Sequence, residues 1–283
     1  MTRTLRVSGV TDRAARGEGK PWRRPRLHQA MACEPLRVAC IGDSLTRGDG
    51  SHERSTPPHP GRGNYPEVLA RLLGSTHFSV RNFGHGGTTA CNLTSAPYVR
   101  TREFNRAVRW RPHLVVLMLG TNDAKRGDFD KKCDPGTAWL TRGISDIVKA
   151  LGAPPTLVLE PPPVLLEKWR IRKRHLTRVR RHVVSTAGNH TDASCRPGGQ
   201  WLARPYRSSH LADWRYFTAD GVHLNQDGSR LIACASFESL VGACAGQRLG
   251  GSTTCTFEAP APAPEGPKFS CARVHHERRK WER

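Results

Sequence analysis

Residues 113–124 read His113-Leu-Val-Val-Leu-Met-Leu119-Gly120-Thr-Asn-Asp-Ala124. The apolar run Leu114–Leu119 is short, rich in branched side chains and closed by a glycine, the pattern of a strand covered on both faces. The same pattern recurs on either side. Leu36–Ile41 (LRVACI) ends in Gly42, Phe78–Phe83 (FSVRNF) ends in Gly84, and Thr156–Leu159 (TLVL) stops before Pro161-Pro162-Pro163. Between these strands the apolar spacing becomes helical. It predicts helices over Pro66–Leu73, over Arg102–Trp110 with Pro112 as the stop, and over Trp139–Leu151. A basic helix is expected over 164–184 and a last helix over Leu231–Val241, while 185–215 shows no period and reads as irregular. Strands alternating with helices imply an α/β domain with a central parallel sheet, whose ligands gather at the carboxyl ends of the strands.

The periodic part spans 35–245, ample for one domain with its own core. Residues 1–34 are charged and aperiodic, a leader expected to be disordered, and 246–283 is a Pro-, Gly- and charge-rich tail expected to be the same. The 283 residues carry a formal net charge of +21, concentrated in the leader, in 166–182 and at the C-terminus. Such a balance suits an anionic partner or a peripheral anionic surface. No recognition module accompanies it, so specific nucleic-acid binding is not expected. No apolar run of signal-peptide or transmembrane length is visible, which favours the cytoplasm, with an organelle as the alternative for an Arg-rich leader. Nine cysteines occur without a Cys-x-x-Cys pair, which leaves zinc ribbons unsupported. Cys40 lies in an apolar strand and reads as a small buried hydrophobe. Cys133, Cys195, Cys255 and Cys271 lie in polar stretches and can pair under oxidising conditions.

Four polar motifs follow the predicted strands or precede the last helix. Gly42-Asp43-Ser44-Leu45-Thr46-Arg47-Gly48 places a serine at a strand-to-helix turn. Asn82-Phe-Gly-His-Gly-Gly87-Thr88-Thr89 supplies glycines that let backbone approach a ligand. Gly120-Thr-Asn122-Asp123 sets an amide side chain at the same rim, where it can donate to a developing oxyanion. Asp220-Gly-Val-His223 sets a carboxylate and an imidazole on one tight turn, where the first can orient the second. Each motif alone is ordinary turn or cap chemistry. Their order and placement together are specific.

As a set they resemble the SGNH hydrolases, also called GDSL lipases/acylhydrolases, over roughly Leu36 to Val241. The resemblance implies a flavodoxin-like three-layer α/β/α sandwich. It also implies Ser44 as nucleophile, His223 as base and Asp220 as its partner. The backbone N–H groups of Ser44 and Gly87, with the Asn122 side chain, would form the oxyanion hole. The Gly-x-Ser-x-Gly elbow of α/β-hydrolases is not met, because Thr46 stands at the last glycine. No nucleotide or zinc-protease motif is present, and neither cofactor nor metal is expected.

The expected reaction is hydrolysis of short-chain, O-acetyl carboxylic esters, on carbohydrate, through an acyl-enzyme. The polar motif surroundings offer no extended apolar groove for a lipid chain. A lysophospholipase or acyl thioesterase is the enzymatic alternative, and a non-catalytic binder of anionic polymers the other. Sequence leaves the oligomeric state open.

Overall fold

In the computed structural model the described residues are 34–51, 63–131, 133, 138–188, 195, 197, 199–204, 213–244, 248–249 and 255–256. The leader, most of the loop 49–63 and most of the tail lie outside them. Within the tail, Arg248–Leu249 and Cys255–Thr256 pair as two short antiparallel strands.

Five parallel strands form the sheet: β1 (Leu36–Gly42), β2 (Phe78–Gly84), β3 (Leu114–Met118), β4 (Thr156–Leu159) and β5 (Gln200–Ala203). Their order is β2-β1-β3-β4-β5. β1 and β3 are adjacent, yet the chain leaves them toward opposite edges, so a crevice opens above their carboxyl ends. Among the described residues the α-helices are α1 (Ser44–Arg47), α2 (Tyr65–Leu73), α3 (Arg102–Trp110), α4 (Asp128–Lys131), α5 (Trp139–Ala150), α6 (Lys173–Gly188) and α7 (Gln226–Cys244).

Side-chain alternation along the strands builds the layers. Val38, Cys40, Leu114, Val116, Leu157 and Leu159 pack with Val68 and Leu69 of α2 and Ile232 and Leu240 of α7. Their neighbours Ala39, Ile41, Val115, Leu117 and Val158 pack with Phe104 of α3, Ile144 and Ile147 of α5, and Val179 and Val183 of α6. The result is a three-layer α/β/α sandwich in the flavodoxin-like strand order. Caps fix where helices begin. The Asn64 side chain accepts the Glu67 N–H at 3.0 Å and Glu67 reaches back to the Gly63 N–H at 2.7 Å, while Thr101 accepts the Phe104 N–H.

Two sequence expectations are corrected. The basic segment 164–184 is helical only from Lys173. Residues 164–172 instead run as an extended, turning strap, because Ile171 pairs with Lys125 and Leu165 donates to the Gly221 carbonyl. Part of the basic charge has internal partners: Arg180 meets the buried Glu160 at 2.8 Å, and Arg172 meets Glu167 at 2.7 Å. The stretch 185–215, read as irregular, contributes the edge strand β5.

Cys40 is buried and free, and burial pushes its thiol far up. Cys133 pairs with Cys91, and Cys195 with Cys244. No helix among the described residues is long and apolar enough to cross a membrane.

Candidate active site

The site is assembled from the turn after β1, the loop after β2, the turn after β3, and the turn before α7. The first is compressed. A Cβ on Gly42 would lie 2.0 Å from Thr46 Oγ1 and 2.5 Å from the Met118 carbonyl, so only glycine lets β1 bend into α1 against the end of β3. Asp43 caps α1 by accepting the Leu45 N–H at 2.9 Å. Ser44 is therefore the first helical residue, a position whose backbone N–H has no intrahelical acceptor.

The turn before α7 holds Asp220 and His223. Asp220 Oδ1 accepts the N–H groups of Val222 and His223, both at 2.8 Å, and Oδ2 lies 2.8 Å from His223 Nδ1. Partial burial alone would raise the Asp220 carboxyl. The backbone N–H and imidazole of His223 outweigh it and hold the carboxyl at about 2. With an ionised carboxylate on Nδ1, the neutral imidazole carries its proton there and leaves Nε2 as an acceptor. Ser44 Oγ lies 3.0 Å from that Nε2, across 179 positions of sequence. The whole turn rests on Gly50: a Cβ there, at φ 89°, would press to 2.8 Å against His223 Cβ.

Gly87 has φ 81°, in the left-handed region, although a Cβ would meet nothing within 4 Å. Its glycine is needed for backbone conformation and not for space. The buried Asn122 donates from Nδ2 to the Thr88 carbonyl at 3.1 Å and to Asp43 Oδ2 at 3.2 Å. Its amide thus stands between the serine turn and the glycine loop, held by acceptors from both. Asp123, next in sequence, is fully buried and accepts the Ala90 and Cys91 N–H groups at 3.0 and 2.9 Å. It ties the turn after β3 to the loop that carries Gly87.

Burial dominates the two carboxyls beneath the rim, raising Asp43 to about 7 and Asp123 to about 6 against the backbone N–H groups they accept. Burial likewise lowers the Lys125 ammonium, with Asp43 opposing the shift. Among the described residues no group of three His, Cys, Asp or Glu side chains converges as a metal-ligand set.

Ser44, Asp220 and His223 are thus brought into one hydrogen-bonded chain, and Asn122 sits beside the glycine loop. Sequence reasoning passed over Asp43 and Asp123. Both stand inside the motifs, next to Ser44 and Asn122, and that adjacency was the available signal. It also passed over Trp169, whose ring centroid lies 5.1 Å from that of His223.

A parallel sheet in this order, with a serine after β1 and an Asp-x-x-His turn before the last helix, defines an SGNH-type hydrolase fold. The chain belongs to the GDSL-like lipase/acylhydrolase family, whose sequence profile matches residues 40–231. It is 27% identical over 223 residues to an acetylxylan esterase of Xylanibacter ruminicola. The match takes in 71% of this chain and spans 42% of that protein's length. In fold it resembles a lipase/acylhydrolase from Enterococcus faecalis, with TM-score 0.56, 17% identity, and 73% of this chain and 96% of that one covered. It also resembles an aryl esterase of M. smegmatis, with TM-score 0.51, 22% identity, and 74% and 99% covered. A family 3 carbohydrate esterase of Clostridium thermocellum gives TM-score 0.51, 19% identity, and 74% and 96% covered.

Proposed function

We propose that this chain hydrolyses short-chain carboxylic esters, chiefly O-acetyl esters of carbohydrates, with Ser44 as nucleophile. The observation that carries the reading is the continuous relay from Asp220 through His223 to Ser44 Oγ, at 2.8 and 3.0 Å. A serine hydroxyl becomes nucleophilic when a base beside it removes its proton as the bond to the acyl carbon forms. Here His223 Nε2 accepts that proton, and the Asp220 carboxylate stabilises the resulting imidazolium. The tetrahedral oxyanion lies toward the Ser44 and Gly87 N–H groups and the Asn122 amide. Asn122 exchanges one internal acceptor for the oxyanion as charge develops. Collapse expels the alcohol, protonated by His223. Water then attacks the acyl-enzyme with the same imidazole as base, regenerating Ser44 and releasing the acid.

The acetyl and carbohydrate assignments draw on the similarity to the Xylanibacter acetylxylan esterase. The described rim is polar and glycine-rich, in keeping with a small acyl group. The test is a p-nitrophenyl acetate, octanoate and palmitate series together with fluorophosphonate labelling. The expected result is preference for acetate and one label on Ser44. Preference for palmitate would make the chain a lipid hydrolase, and no turnover with no label would overturn the reading altogether.

A further inference from the structure

The strap 164–172 joins the two turns that hold Asn122 and His223. On one side Leu165 donates to the Gly221 carbonyl at 2.6 Å. On the other, Arg126 donates to the Arg170 carbonyl at 2.8 Å and Arg172 to the Ala124 carbonyl at 3.2 Å. Ile171 is buried and anchors the strap against Lys125. Between these fastenings two successive non-glycine residues, Trp169 and Arg170, have φ 46° and 67°. L side chains are sterically strained there, and bulky ones most of all.

The strain brings no burial. Trp169 is 52% exposed, and Leu166 on the same strap is 38% exposed. Strained backbone that leaves a large aromatic in solvent points to a binding role. The position of the ring says which part of a ligand it meets. Its centroid is 5.1 Å from the His223 ring, with the planes at 55°. In ester hydrolysis the imidazole returns its proton to the departing alcohol, whereas the acyl oxygen faces the oxyanion donors. A group beside His223 therefore contacts the alcohol half of the ester.

The geometry points to Trp169 as the platform for that alcohol, and to a pyranose ring as the group it takes; this inference rests on the esterase reading above. The electron-rich face of an indole attracts the weakly positive C–H face of a sugar ring, which an alkyl or headgroup alcohol does not present as a flat surface. An exposed aromatic suits a sugar at the end or on the side of a polymer, since the polymer need not enter a pocket.

The test compares acetylated xylobiose with vinyl acetate, whose alcohol half carries no ring, on the full chain and on Trp169→Ala, Trp169→Phe and Trp169→Gly. In Trp169→Ala the ratio of KM for the sugar ester to KM for vinyl acetate should rise about tenfold, the upper end of what one aromatic contact gives. Phe, which keeps a ring face, should restore part of it. Trp169→Gly relieves the φ strain, so its Tm should not fall below that of the unaltered chain. An unchanged KM ratio, or equal losses on both esters with a fall in Tm, overturns the platform and makes Trp169 structural. Failure of the unaltered chain to cleave either ester overturns the esterase reading, and the platform with it.

Discussion

The carboxylate of Asp43 accepts a hydrogen bond from the Asn122 amide at 3.2 Å, although 79 positions separate them. The residue before the candidate nucleophile thereby orients the candidate oxyanion donor. Asn122→Ala should lower kcat by about 10²–10³ with little change in KM, the usual effect of losing one oxyanion donor. Asp43→Ala should lower kcat by less, because the amide stays but loses its orientation. Steady-state kinetics on p-nitrophenyl acetate check both. A pure KM effect at Asn122 would make it a substrate-binding residue instead.

Ser44→Ala should reduce turnover by about 10⁴–10⁶ while leaving the fold and Tm near those of the unaltered chain. Asp220→Asn should cost about 10⁴ in kcat, because an amide opposite Nδ1 no longer fixes the imidazole tautomer. Circular dichroism and kinetics on the same preparations separate loss of chemistry from loss of structure. Activity within a few-fold of the parent in Ser44→Ala would remove that serine from the mechanism.

Asp43 also sets a pH dependence of stability. Its carboxyl holds a proton up to about 7 in the fold, against a usual value of 3.8. Between those values the folded chain binds more protons than the unfolded one. The stabilisation is therefore complete below about 4, declines as pH rises toward 7 and is level beyond it. Asp43→Asn does not titrate, so its Tm relative to the parent should rise across that window and then plateau. Asp123 is retained in both proteins, and its charge is among the causes that raise Asp43. Asp220, whose carboxyl is lowered, acts in the opposite sense, below about 4. Calorimetry across the window checks the sign, and a pH-independent difference would contradict it.

The Cys91–Cys133 bond closes a loop with a sequence separation of 42 and holds the residue whose N–H Asp123 accepts. Replacing both cysteines with serine should lower stability by about 2–4 kcal/mol by freeing the unfolded chain. Chemical denaturation measures it, and unchanged stability would show the link to be dispensable.

Strands β1 to β4 were legible because each is a short apolar run ended by glycine or proline, a pattern that burial on both faces enforces. β5 was not, since Gln200 opens it and only Trp201 and Ala203 of its four residues are fully buried. The four motifs gave Ser44, Gly87, Asn122, Asp220 and His223 their places at one rim because each follows a strand or precedes a helix. The support around them was hidden for a different reason. Asp43 and Asp123 look like turn residues until tertiary contact supplies the Asn122 amide and the Ala90 and Cys91 N–H groups as their donors. The helix expected from 164 begins only at Lys173, because pairing of Ile171 with Lys125 overrides local propensity before it. The strained backbone at Trp169 has no sequence signature.

The five strands of the parallel sheet are complete by Ala203, whereas the Asp220–His223 turn and α7 come afterwards. A chain emerging from its N-terminus thus possesses Ser44, the glycine loop and Asn122 before it possesses His223, the proposed base. On the proposed mechanism, Ser44 Oγ has no base beside it until that turn settles against Gly50. On the proposed mechanism, hydrolysis would therefore report that Ser44 and His223, 179 positions apart, have been brought together.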